Sequence, residues 1–187
     1  MTPRNAKQDR KTQDDRSEIP KRQELYQSFF AAANKDDETA LQQLLATAYN
    51  AKYLDESIIR IGLQQSVRKG YAPSLSVVIT WGETSGLIQR NDDLLRIALQ
   101  DAAKLGHAEA ARILLEHGAK TDVGSKGSSA LWWSCSQPET PGHVEVTELL
   151  LTGKYTGCPA DKEWTDEDGR TIFMSAAERG HFGVFSS

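Results

Sequence analysis

The chain has 187 residues, 26% charged and 39% hydrophobic, with a formal net charge of −4, an ordinary soluble composition with enough residues for one sizeable core. No apolar run approaches the roughly 20 residues that span a bilayer, and the polar first residues lack the apolar stretch of a secretory signal, so no membrane partner and a cytoplasmic location are expected, with the nucleus as the alternative. The two cysteines, Cys135 and Cys158, have neither metal-knuckle nor disulfide-framework spacing.

Residues 1–21 form a polar tail with almost no large apolar side chain, too little to bury for it to order itself. Residues 1–22 hold seven Lys/Arg and four Asp/Glu, a net of +3, which leaves −7 on the rest. An acidic body argues against a nucleic-acid partner, whose binding rests mainly on neutralised phosphates. Pro20 marks the boundary. Leu25, Phe29 and Ala32 then predict a first helix, Leu41, Leu44 and Leu45 a second, and Asp36-Asp37 the turn between them. Asp55 is a good N-cap for the next helix, with Ile58, Ile59, Leu63 and Val67 on its buried side. Pro73 suits the start of the following helix. The run Leu75–Ile79 could be a strand by its β-branched composition, but its alignment with the leucine runs at 113–115 and 149–151 predicts a helix. Glu83–Asp92 is then a connecting loop.

The clearest stretch is Leu94–Val123. Leu95, Leu99, Ala102 and Ala103 keep helical spacing, as do Ala110, Ile113, Leu114 and Leu115, with a turn at Gly106-His107. Gly118 closes the second helix as a left-handed cap, with His117 in its last turn. Helices of three turns or fewer are too short to stand alone, so each pair must stack on another. Downstream, Trp132-Trp133 and Cys135 lie on the next inner helix. Between Cys135 and Gly142 lie six residues, Ser136–Pro141, where the preceding unit has two, so a lengthened, proline-stiffened turn is expected. Gly142-His143 and Leu149-Leu150-Leu151 follow, then a long loop Thr152–Glu167. Asp168-Gly169-Arg170-Thr171 and Ala176-Ala177-Glu178-Arg179-Gly180-His181 open a last unit that stops before its second helix, as a fragment or truncated product would.

Taking Asp36, Gly70, Gly106, Gly142 and Gly180 as equivalent turn residues, the spacings are 34, 36, 36 and 38 by subtraction. The phrases Ala102-Ala103-Lys104-Leu105-Gly106-His107 and Leu114-Leu115-Glu116-His117-Gly118-Ala119 resemble the ankyrin repeat, whose period is about 33 residues. The resemblance implies an all-α solenoid of stacked helix–turn–helix units with hairpin-like connecting loops. Its units would span about 22–53, 54–90, 91–123, 124–165 and an incomplete 166–187. The first, with Asp36-Asp37 at its turn, reads as a terminal cap, since end repeats meet water on one face.

The resemblance further implies an intracellular, non-catalytic scaffold that binds another protein through hairpin tips and the exposed ends of the inner helices. Those positions include Arg68, Lys69, Arg96, Lys104, Leu105, Ser125, Lys126, Arg170 and Arg179. Trp132, Trp133 and Trp164 join them because tryptophan is enriched at binding hot spots, although the plainer reading of Trp132 and Trp133 is that they fill the groove between stacked repeats. Glu139, in the six-residue insert, would set polar orientation. The alternative function is the surviving repeat arm of a larger enzyme or signalling protein. No catalytic, cofactor or metal site is expected. His107-Ala108-Glu109 and His143-Val144-Glu145 match the first half of a zinc-deaminase signature but no C-x-x-C follows. His107, His143 and His181 share one turn position and read as structural, and Gly124-Ser125-Lys126-Gly127 lacks P-loop spacing.

Overall fold

A computed structural model describes residues 23–89, 93–121, 129–138, 140–155, 160–161, 165 and 168–179. Among them the chain runs through helix α1 over 23–33, then α2 (Glu38–Asn50), α3 (Glu56–Lys69), α4 (Ala72–Thr84), α5 (Asp93–Leu105), α6 (Ala108–Glu116), α7 (Ala130–Ser136), α8 (Pro141–Thr152) and α9 (Ile172–Arg179). The described residues contain no strand, only an isolated bridge between Thr165 and Thr171. Leu75–Ile79 lies inside α4. Its branched side chains are buried on the stack, and that burial outweighs their modest strand preference.

Helices α3, α5, α7 and α9 pack side by side in one row, α2, α4, α6 and α8 in a second, and each inner helix from α3 to α7 packs on the outer helix that follows it. At the start of the stack the Phe29 ring of α1 fills the space over Gly62 of α3, where an added Cβ would come within 2.8 Å of it. A single apolar cluster runs from Phe29 through Leu63, Leu99 and Leu114 to Ala176. Every apolar residue predicted for the stripes of α5 and α6 is buried.

The turn geometry shows why the units repeat. At Gly70 and Gly106 the backbone is left-handed, with φ of 71° and 68°. The next residue's N–H reaches back to close the helix, Tyr71 to Ser66 at 2.9 Å and His107 to Ala102 at 3.0 Å, a Schellman closure. Asp36 takes the same conformation without being glycine, at φ 54°, and Asp37 donates to Ala32 O at 3.2 Å. Aspartate tolerates this region because its short side chain bonds locally. Here Asp36 accepts from the backbone N–H and hydroxyl of Ser74, one repeat further on.

The fourth unit corrects two expectations. Ser136 closes α7 and Pro141 opens α8, so the lengthened turn is four residues, 137–140, and not Ser136–Pro141. Gly142 is not a turn residue but the second residue of α8, and His143 the third, whereas His107 is the residue capping α6. Thr140 takes the cap position, its hydroxyl accepting from the His143 N–H and bonding Nδ1 at 2.8 Å, and Pro141 is preset for the first helical residue. That combination starts the helix earlier than the Gly-His pair suggests. The loop expected over Glu83–Asp92 also begins later, since Glu83 and Thr84 end α4. The tail 1–21, Gly180 and His181 lie outside the described residues.

Candidate protein-binding surface

The inner row leaves one stripe of each helix uncovered. On α5 the buried side is Leu95, Ala98, Leu99, Ala102 and Ala103, and helical spacing puts Ile97, Asp101, Lys104 and Leu105 along the opposite edge. Ile97 is 48% exposed and Leu105 43%, so the stripe is not simply polar. The neighbouring α3 presents Arg60, Gln64 and Arg68 at four-residue intervals, all exposed, with Lys69 beside them at the turn.

The structure places four of the predicted residues together. Lys104 Nζ sits 4.5 Å from the centroid of the Trp133 ring, within cation–π range. Trp133 meets Trp132 edge-to-face, with ring centroids 4.9 Å apart and planes at 79°. Leu105 follows at the end of α5. Both tryptophans are half-buried and pack against the core. The short α7 that carries them is held by Ser129, whose hydroxyl accepts from the Trp132 N–H at 2.9 Å.

Arg68 and Lys69 lie in the last turn of α3, and Lys104 and Arg68 both act on Asp101. Partial burial pushes the Asp101 carboxyl above its usual range, and those two cations pull it partly back. Arg96 is turned to its own helix, bonding Asp93 at 2.9 Å. Arg170 pairs with Asp168 at 3.1 Å and Glu178 at 3.7 Å, and exposed Arg179 ends α9. These last three do not join the Lys104–Trp133 group. Ser125, Lys126, Glu139 and Trp164 lie outside the described residues.

The outer row is different in kind. Arg112 is clamped between Glu109 and Glu116 on α6, which lowers the Glu109 carboxyl through its hydrogen bond with the guanidinium. His117 Nδ1 meets Glu83 of the preceding unit at 2.9 Å. Glu38, Glu145 and Glu148 are exposed on this side. Cation-rich inner stripe and acid-rich outer row thus face opposite ways.

A family model for ankyrin repeats, in three copies, matches residues 28–158. The chain belongs to the ankyrin-repeat family. The inner and outer rows are the two helices of the ankyrin helix–turn–helix unit. A search of the curated proteins returned no match. Ankyrin repeats are in general protein–protein interaction modules and typically non-catalytic. Among the described residues no three His, Cys, Asp or Glu gather as metal ligands, and no helix is long and apolar enough to cross a membrane. Cys135 is buried beside Thr147 and Ser134, its thiol pushed up by burial, the opposite of what a thiolate nucleophile needs.

Sequence reasoning missed Arg60, Gln64, Ile97 and Asp101 as surface candidates. Ile97 carried a signal, being an isoleucine off the buried stripe of α5. The rest depended on which edges of α3 and α5 face one another.

Proposed function

We propose that this ankyrin chain is a non-catalytic module that binds a protein partner on the exposed stripe of its inner helices, centred on units three and four. The observation that carries the reading is the Trp132–Trp133 pair with Lys104 stacked over Trp133 and exposed Leu105 alongside. A half-open aromatic pair beside a cation offers both an apolar anchor and a polar handle, the make-up of binding hot spots. The net acidic body supports a protein over a nucleic acid.

The test is affinity capture with the intact chain, followed by Trp133→Ala and Lys104→Glu. A specific partner recovered by the native chain should bind at least about tenfold more weakly to each variant, roughly 1.4 kcal/mol, with far-UV circular dichroism unchanged. Undiminished binding to both would exclude this face.

A further inference from the structure

We propose that the cleft between α3 and α5 receives one aliphatic side chain of an acidic, extended partner segment. This rests on the protein-binding reading above and adds the partner's chemistry. The cleft has a volume of about 110 Å³, with a floor of Leu63, Leu94 and Ala98 and Ile97 as its wall. An apolar cavity of about 150 Å³ accommodates benzene, so this smaller one suits a branched aliphatic group better than a ring. Docking there would also cover the 48% of Ile97 that now meets solvent, and covering apolar area is the main favourable term in association.

The charges around the cleft select the rest of the segment. Glu56 is already bonded to Arg60 at 2.9 Å and Asp93 to Arg96 at 2.9 Å. Asp101, on the rim, is the carboxylate facing the cleft, and its side is shared by Arg68 and Lys104. The exposed side chains of Arg68 and Lys69 are in no ion pair among the described residues, which leaves two cations on α3 and Lys104 on α5 against one acid. The net −7 on residues 23–187 and the open glutamates of the outer row disfavour an acidic segment, whereas the cations of this rim attract one. Adjacent packed helices lie about 8–10 Å apart, and residues four apart in an extended chain share one face across about 13 Å, at about 3.3 Å each. An aliphatic residue with an acidic residue two positions to either side presents all three side chains to this surface, one acid facing Arg68 and the other Lys104, whose long side chains span the remaining few ångströms. Asp101 interrupts the cation row that a phosphate backbone would track, and the cleft is too small for a base.

The experiment pans a random peptide display library on the immobilised full chain and measures the recovered peptides by fluorescence polarisation. Recovered sequences should share an aliphatic residue midway between two Asp/Glu four positions apart. Their affinity should fall at least about tenfold in Arg68→Glu and in Ile97→Asp, stay unchanged in the outer-row variant Glu148→Lys, and weaken with added salt. Ile97→Ala, which adds no charge, should give a smaller loss in the same direction and guards against misfolding of the Asp variant. Neutral or basic recovered sequences, no recovered sequence, or affinity indifferent to Arg68 and Ile97 overturns the inference. Peptides that depend on Trp133 but not on these two residues overturn it while leaving the binding-module reading intact. Full displacement by an oligo-dT of equal length would assign the rim to nucleic acid instead.

Discussion

Gly142 and Gly106 meet backbone to backbone. A Cβ on Gly142 would lie 2.0 Å from the Gly106 carbonyl oxygen, and backbone cannot turn aside as a side chain can. Gly142→Ala should therefore cost about 1–3 kcal/mol, the usual range for forced overpacking; a denaturant midpoint unchanged from the native chain would show that the two units are not this close. Ser66 makes the opposite case. It is fully buried, and its hydroxyl has no hydrogen-bond partner among the described residues, while Ala32 and Ala102 occupy the same position four residues before their turns. Ser66→Ala removes an unpaid desolvation and raises helix propensity, so it should be neutral or stabilising by up to about 1 kcal/mol. Asp101 adds a pH dependence. Its folded carboxyl is raised, chiefly by burial, so the native state holds this proton more tightly than the unfolded chain does. Stability is then lost as pH rises from the ordinary carboxylate value through the folded one. Asp101→Asn should melt higher than the native chain at neutral pH, and the gain should vanish in acid, where both states are protonated. A gain that grows on acidification would reverse the sign.

At the scale of the helix, caps and buried stripes divide the work. Asp55 accepts from the Ile58 N–H at 3.1 Å and from the Tyr26 hydroxyl of α1 at 2.9 Å, so it caps α3 and ties α1 to it. Asp37 caps α2 through Ala40 alone, at the surface. Asp55→Ala should cost more than Asp37→Ala, with the simple cap near about 1 kcal/mol; equal losses in thermal melts would deny the Tyr26 link any weight. Leu115, 1% exposed on α6, stands for the recurring leucine runs. Leu115→Ala should cost about 2–5 kcal/mol, and a loss below about 0.5 kcal/mol, a surface-sized effect, would contradict its register. The exposed Arg112 clamp contributes far less, because exposed ion pairs are worth little.

For the whole molecule, stability follows from neighbours. In a solenoid each unit contributes its own term and the interfaces on either side. Helices α5 and α6 have packed units before and after them, whereas α9 rests on α7. Amide exchange should be slowest over Ile97–Leu115 and fast in α9. Equal protection in the two regions would require a further covering element over α9. The same one-dimensional arrangement explains how a binding face forms at all: each unit offers only a few open residues, and stacking lines them into a continuous stripe.

Apolar spacing and turn residues in the chain determined the helix pairs, their order and most of the core, because short amphipathic helices can bury their stripes in few ways other than by stacking. Even Asp36-Asp37 was legible as a turn, since aspartate both tolerates the left-handed region and caps a helix. Two matters were decided only in three dimensions. The start of α8 went to Thr140 and Pro141, not to the Gly-His pair, because a hydroxyl cap and a preset proline favour the earlier start, and because Gly142 is needed where two backbones touch. The pairing of Lys104 with Trp133, and the cleft between α3 and α5, depend on the rotation of neighbouring helices about their axes. Periodicity says which side of a helix is buried, but not which exposed residues of one helix come to lie beside those of the next.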